Sequence, residues 1–316
     1  VPGAVETPNP DRDVRLGGAW TPAQRLKNDA LWLSARAALA AARMLPPFAL
    51  AAGGRALGGL AFGAFGRARR LALANVARVH PDWSASDRTA LVRRAFVTLG
   101  EHVGEIARAL AGQRDCGPPL PLASDARAAL REAESQGRGV VFASAHLGPW
   151  ERVAASLVAG GVPLVAVARE SYDPRFSALF ARSRARAGVR VIWRAERGAA
   201  FRIVRTLRHG EVLGIPMDLR ARVESRLVPF LGHLAPTAIG PARIALRTGA
   251  AVVVGTSAPR AGGGLEVTAT PIATRDLHDD DAGTYELTRR INSELSRRIL
   301  ALPHAWVWMH DRWASA

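Results

Sequence analysis

Lysine is nearly missing from this sequence: Lys27 stands alone among 43 basic residues, so arginine carries the cationic character. A genomic base-composition bias is one source of such an excess, but it leaves the charge in place. Cysteine is equally scarce. Cys116 is the single one, which excludes an internal disulfide and any cysteine-rich zinc site. A free thiol is compatible with a reducing, cytosolic setting. Long apolar runs are also lacking. The Ala-rich region from Leu31 to Phe65 is cut by Arg36, Arg43 and Arg55 and by Pro46-Pro47. Each uncharged stretch is therefore about a dozen residues or fewer, short of the roughly 18 that mark a clean membrane span. The opening "VPGAVETPNPDRD" has no signal-peptide layout and reads as a loose polar tail. Internal repeats are absent, and low complexity goes no further than the Ala/Arg bias.

What is present is a globular composition. The chain has 316 residues, 48% hydrophobic and 22% charged, enough for one large domain or two small ones with ample core. Net charge is +16, which implies an anionic partner: nucleic acid, an anionic membrane face or acidic substrates. Against nucleic acid, the cations are dispersed and no recognition motif is present. We divide the chain into a tail (1–20), a membrane-associated helical segment (21–66) and a main domain (67–316). Helices at 23–44 and 48–66 are expected to lie in or against a membrane interface, since "FALAAGG" and "GGLAFGAFG" leave few positions for a wet face. Ordinary core helices are the alternative.

A capped helix follows Ser84, and a Gly/Pro-rich loop spans 112–123. Beyond it the pattern alternates. Helices are expected at 124–135, 149–159, 174–187, 198–209, 237–248 and 282–301. Strands are expected at 139–145, 163–168, 189–193, 211–215, 227–230, 251–257 and 265–270, the last two joined by the hairpin signal "PRAGGG". Such alternation predicts an α/β fold, a layered, mostly parallel or mixed sheet flanked by helices. Its functional sites are then expected at the C-terminal ends of strands.

"SAHLGPWE" (144–151) sits at such an end. The buried strand "GVVFASA" runs into His146, Gly148-Pro149 make the turn, and "ERVAASLVAGG" is the helix that follows. Pro149 suits the first helical turn, and the helix dipole favours a carboxylate at Glu151. With the histidine before the helix and the glutamate in its first turn, the carboxylate is expected to fold back to the imidazole. A carboxylate on Nδ1–H leaves Nε2 free as a general base. A protein nucleophile is not evident. Ser144 lies outside any G-x-S-x-G elbow, and Cys116 lies in the Pro-rich loop. The base is therefore expected to activate a hydroxyl brought by the substrate.

These residues resemble a family. A histidine and an acid five residues apart after a buried strand mark the lysophospholipid and glycerolipid acyltransferases. "AHLGPWE" is similar to the H-x-G-N-W-E block of the late acyltransferases of lipid A biosynthesis and the related phosphatidylinositol mannoside acyltransferases. Four more blocks follow in order. "VARESYDP" (167–174) resembles the segment with the family's active-site arginine, here Arg169. "GEVLGIPMD" (210–218) resembles the strand leading to its acidic loop. "LVPFLGHLAPTAIGPARIALRTGAAVV" (227–253) and the closing "WVWMHDRW" (306–313) resemble its last two blocks. The similarity covers about residues 25–313. This chain departs from the pattern at Pro149, where Asn is usual, at Asp218, which stands alone where a D-x-D is common, and at Asp311, where a second basic residue is common. No F-P-E-G block is present, which argues against the phosphatidic-acid-forming branch.

The resemblance implies a membrane-associated O-acyltransferase, an enzyme of the EC 2.3.1 type. It would move a fatty acyl chain from acyl carrier protein or coenzyme A to a hydroxyl of an anionic glycolipid such as a lipid A precursor. It also implies a place on the cytoplasmic face of a bacterial inner membrane, and neither cofactor nor metal. His146, Glu151 and Arg169 are the expected catalytic residues, with Arg169 on the oxyanion or a lipid phosphate. Within the same blocks, Trp150, Asp218, Arg220, Thr237, Arg243, His310 and Arg312 are expected to contact substrate. Competing readings are another phospholipid or glycolipid acceptor, a catalytically degenerate lipid binder, and a basic nucleic-acid-binding protein. Four further features each carry two readings. "HDDD" (278–281) is a metal site or a solvated loop and cap. Glu101, His102 and Glu105 on one helix are a site or polar packing. Trp306, Trp308 and Trp313 are interface or core aromatics. Arg182, Arg184, Arg186 and Arg190 are a phosphate- or carrier-facing surface or a solvated helix face.

Overall fold

Two glycine pairs decide how the N-terminal helices meet the rest of the chain. In the computed structural model, which describes Val14 and residues 18–112 and 118–314, helix α2 (Pro47–Ala64) lies along the long helix α4 (Ala85–Ala111). Gly54 and Gly58 of α2 face Gly100 of α4, and Gly104 faces the Leu50 carbonyl, so closely that a Cβ on Gly100 would stand 2.2 Å from the Gly54 carbonyl oxygen. No side chain separates the two backbones there. Helix α1 (Pro22–Ala42) opens on a capping box between Thr21 and Gln24, and Pro46-Pro47 start α2 after a short turn. Helix α3 (Gly66–Val79), which the sequence pattern left unassigned, turns from α2 into the core through Ala72 and Val76. Among the described residues no single helix is long and apolar enough to cross a membrane; α2 and α3 pass that test together but are bent by 90°. Most of the proposed tail, and Cys116, lie outside the described residues.

The rest is a layered α/β unit. After α5 (Ser124–Ser135) come β1 (Val140–Ser144), α6 (Trp150–Ala159), β2 (Leu164–Ala168), α7 (Pro174–Arg186), β3 (Arg190–Trp193), α8 (Ala199–Arg208) and β4 (Val212–Pro216). The hairpin β5 (Ser225–Phe230) and β6 (His233–Ala238) follows, then α9 (Gly240–Thr248), β7 (Ala251–Pro259), β8 (Leu265–Ile272), α10 (Asp281–Ala301) and a short turn of 3-10 helix, Pro303–Ala305. Six strands form one sheet in the order β3-β2-β4-β1-β7-β8, parallel except for the β7–β8 hairpin. Its central strands β1 and β4 are apolar and largely buried because both faces are covered by helices. Apolar cores fill both sides. One gathers α3, α4, α10, Trp306 and Trp308; the other gathers α5, α6 and Phe142. Trp306 and Trp308 are thus core residues, and Trp313 packs on Phe230 and Trp306.

The expected layered α/β fold is present. The helix expected from 237 instead begins at Gly240, because 233–238 is a strand. Leu231 and Gly232, both at positive φ, reverse the chain and pair "HLAPTA" against β5. Asp280 of the "HDDD" run caps α10 by accepting from the Gly283 N–H, and the described residues hold no metal-ligand cluster.

The helix contact generates a paired test. Gly100→Ala should lower stability by about 1–3 kcal/mol by overpacking. Gly53→Ala, on the open face of α2 with nothing within 4 Å of a new Cβ, should be neutral or stabilising by up to about 1 kcal/mol. Melting curves of the two variants decide it. Equal effects would mean that α2 does not lie on α4.

Candidate active site

Strand register brings the central pair together. Ser144 of β1 is the parallel partner of Pro216 of β4, and the Met217 N–H continues the pairing by donating to the Ser144 carbonyl at 2.9 Å. His146 and Asp218 each lie two residues beyond that last matched position, so they leave the sheet side by side. His146 Nδ1 is 2.9 Å from Asp218 Oδ1, and the His146 backbone N–H donates to Oδ2, also at 2.9 Å. The Trp306 indole N–H donates to the same Oδ2 at 2.8 Å. Asp218 has no exposed surface, whereas the His146 side chain is 27% exposed.

The electrostatics follow from this arrangement. Burial pulls the imidazole pKa down, but the Asp218 charge and hydrogen bond, aided by Glu151, outweigh burial and the repulsion of Arg184. His146 is therefore held above the ordinary imidazole range. Burial alone would push the Asp218 carboxyl up; the charge of His146 and the hydrogen bonds from His146 and Trp306 reverse that and hold it below the usual carboxylate range. An ionised carboxylate only accepts, so Nδ1 carries the proton. Nε2 is then the basic nitrogen, and it has no protein partner among the described residues.

Glu151 was expected on Nδ1, and there the geometry differs. Helix α6 begins at Trp150, so Glu151 leaves its first turn toward α7. Arg184 grips it there through Nε and a terminal nitrogen at 3.0 and 2.5 Å. The glutamate reaches His146 through its field, not through a hydrogen bond. Of the expected arginine surface, Arg184 is spent on this pair, Arg190 on Glu211 and Arg186 on the Ala109 carbonyl, while Arg182 is exposed. Glu101 pairs with Arg55, and buried His102 lies 3.8 Å from Glu105.

The remaining residues divide. Trp150 sets its ring edge-on to His146, with centroids 5.0 Å apart. Arg169, just past the end of β2, is exposed and borders the same groove as His146, Glu151 and Arg184. His310 lies close enough to Asp218 and His146 to feel both charges, though burial dominates and lowers its pKa. Arg220 is half-buried in the loop after Asp218. Arg243 sits on α9, held by Glu224 at 2.6 and 2.9 Å. Thr237 and Arg312 have no exposed surface and bond each other; Arg312 also donates to the Pro236 carbonyl and stacks over Phe230. Burial pulls that guanidinium down to about 10. The structure thus places Arg312 and Thr237 inside the support for the site, not on its surface. Sequence reasoning placed Arg184 only on a basic or solvated helix face and Trp306 only among interface or core aromatics, and missed the contacts of both with the site. The only available signal for the pairing was the acid standing as far past β4 as His146 stands past β1.

One wall of the site is apolar. A groove of about 1400 Å³, counting its open mouth, runs from His146 between α1, α4 and α7; Leu39, Leu99, Ile106, Leu110, Phe176 and Phe180 line it. Fold and site together define an α/β enzyme that carries a histidine–carboxylate base beside a largely apolar groove. The chain belongs to the bacterial lipid A biosynthesis acyltransferase family, whose model matches residues 23–315. No curated protein matches the chain significantly.

Kinetics separate the two carboxylates. Asp218→Asn should lower kcat on the order of 10²–10⁴-fold, the range of a lost general base, and Glu151→Gln should cost less. Because neutral His146 is the active form and its pKa is raised, the acid limb of kcat/KM should lie above the free imidazole range. A limb at or below that range, or a milder Asp218→Asn, contradicts the assignment.

Proposed function

We infer that the protein, as a member of its family, acts as an acyltransferase of lipid A biosynthesis. We propose that it transfers a fatty acyl chain from a thioester of acyl carrier protein or coenzyme A directly to a hydroxyl of an anionic glycolipid such as a lipid A precursor. The observation that carries this reading is the apolar groove ending on a histidine whose Nδ1 is committed to Asp218. Its apolar lining suits an acyl chain with the thioester carbonyl at His146. Nε2 takes the proton of the acceptor hydroxyl as the oxygen attacks that carbonyl. The carbon–sulfur bond then breaks, and the thiolate leaves with the proton returned by the imidazolium. His146 has no hydroxyl or thiol hydrogen-bond partner among the described residues, in keeping with direct transfer and no covalent intermediate. Glu151 adds a second negative charge beside the imidazolium. Arg169 steadies the oxyanion or a substrate phosphate, and the planar fork of its guanidinium matters for that.

We further propose that the enzyme works on the cytoplasmic face of the inner membrane, held by its N-terminal helices. Met44, Phe48, Leu57 and Leu60 are 84%, 75%, 65% and 69% exposed, an unusual density of large apolar side chains. Exposed Arg36 and Arg67 flank them in the sequence, suited to anionic headgroups.

Two measurements test the reading. Transfer of lauroyl, myristoyl and palmitoyl chains from coenzyme A or acyl carrier protein to a detergent-dispersed lipid A precursor should be abolished in His146→Ala and strongly reduced in Arg169→Lys, with melting temperatures unchanged. Near-normal transfer by folded His146→Ala sinks the general-base assignment. In the second, Met44, Phe48, Leu57 and Leu60 are all replaced by Asp. This variant should stay folded and lose most of its binding to phosphatidylethanolamine–phosphatidylglycerol vesicles, roughly a hundredfold or more, since each buried apolar side chain contributes about 1.5–3 kcal/mol. Undiminished binding places the anchor elsewhere.

A further inference from the structure

The last segment of the chain passes directly behind the catalytic turn and is fastened at every step. Trp306 forms an antiparallel bridge with Leu147, and the Gly148 N–H donates to the Ala305 carbonyl at 3.0 Å. Asn75 of α3 donates from its side-chain amide to the carbonyls of Trp308 and His310, both at 2.8 Å. Buried Arg312 pins the end of the segment to Pro236 and Thr237. Trp306 itself is 1% exposed and sits edge-on to Trp308, with ring centroids 4.8 Å apart. The indole thus has one orientation, and in it the N–H points at Asp218 Oδ2.

That contact divides the work of the carboxylate. Oδ2 receives two N–H groups, the indole and the His146 backbone, which leaves Oδ1 for Nδ1. Rotation of the carboxylate would break both bonds to Oδ2. The indole is also a neutral donor. It draws charge density from the carboxylate without adding a cation that would repel the imidazolium. The other charged or titratable groups around the pair are Glu151 of α6 and Arg184 of α7, which face His146, Arg312, which faces Asp218, and His310, which faces both and which burial keeps neutral more readily.

We propose that Trp306 is a positioning residue for the general base: acting through Asp218, its N–H selects the oxygen that holds His146 Nδ1 and tempers the proton affinity of the imidazole. Without that N–H, Asp218 Oδ2 keeps more negative charge, binds the imidazolium more tightly, and a higher pH is needed to free Nε2. The sign is therefore an upward move of the His146 titration. The kinetic consequence rests on the acyl-transfer reading; the electrostatic one does not.

Codon suppression at Trp306 allows an isosteric test. Trp306→Phe removes the N–H and some volume. 3-Benzothienylalanine at 306 removes the N–H and keeps the shape, while 5-fluorotryptophan keeps both. With full-length protein, the His146 titration is followed by NMR on ¹⁵N-histidine, assigned with His146→Gln, and acyl transfer from palmitoyl-CoA to lipid A precursor is followed across pH. The benzothienyl protein should melt like wild type. Its His146 titration and the acid limb of kcat/KM should both move up by roughly one unit, and kcat should fall on the order of tenfold with little change in KM, the scale of one hydrogen bond to a charged group. The fluorotryptophan protein should match wild type. An unmoved His146 titration in the benzothienyl protein, whatever happens to Trp306→Phe, overturns the proposal and reduces Trp306 to packing. If no protein transfers acyl chains but the titration moves as stated, the proposal stands and the acyl-transfer reading falls.

Discussion

A carboxylate with no exposed surface organises this molecule. Taking an ionised Asp218 out of water costs several kcal/mol even after relaxation, and only well-placed donors offset it. Here three N–H groups from two distant parts of the chain meet it: the imidazole and backbone of His146, and the indole of Trp306. Much of the fold follows from that need. Strands β1 and β4 must be neighbours in matched register, so that the residues two beyond their last pairing coincide. The C-terminal segment must return across the sheet to deliver the indole. Asn75, Thr237 and Arg312 then hold that segment in place.

The charge of the chain looks different once the side chains are placed. Much of the arginine excess is committed to carboxylates or carbonyls, as with Arg184 on Glu151, Arg175 on Asp173 and Asp29, and Arg290 on Asp276 and Glu286. Surface pairs of this kind contribute little stability each. Two of them do more through position. Arg184 turns Glu151 away from direct contact with His146 while leaving its field on the imidazole. Arg175, lodged between Trp20 and Trp32, ties α1 to α7 along the apolar groove. The groove therefore has walls from α1 and α4 and from the sheet domain alike, and α1 serves the site as well as the surface.

The layered sheet was legible because buried parallel strands and amphipathic helices leave different periodicities, and "SAHLGPWE" advertised its strand-turn-helix junction. The partner of His146 was harder to read. Sequence proximity favoured Glu151, five residues away; the true neighbour, Asp218, is 72 residues away and reachable only through the pairing of β1 with β4. Nothing local in "PMDLR" distinguishes a buried histidine partner from a substrate-binding acid. Arg312 misled in the opposite direction. A charged residue near a motif reads as a substrate contact, yet here it lies wholly inside, over Phe230. Strand β6 was hidden because "HLAPTA" has neither alternation nor strong β-formers, and the turn that creates it depends on Leu231 accepting a positive φ.

The central claim is that Asp218, not Glu151, holds the Nδ1 proton of His146. Proton NMR of the downfield imidazole region reports that hydrogen bond directly. Wild type and Glu151→Gln should both show a far-downfield Nδ1–H resonance, lost in His146→Gln and in Asp218→Asn. A resonance that survives Asp218→Asn and disappears in Glu151→Gln would contradict the account.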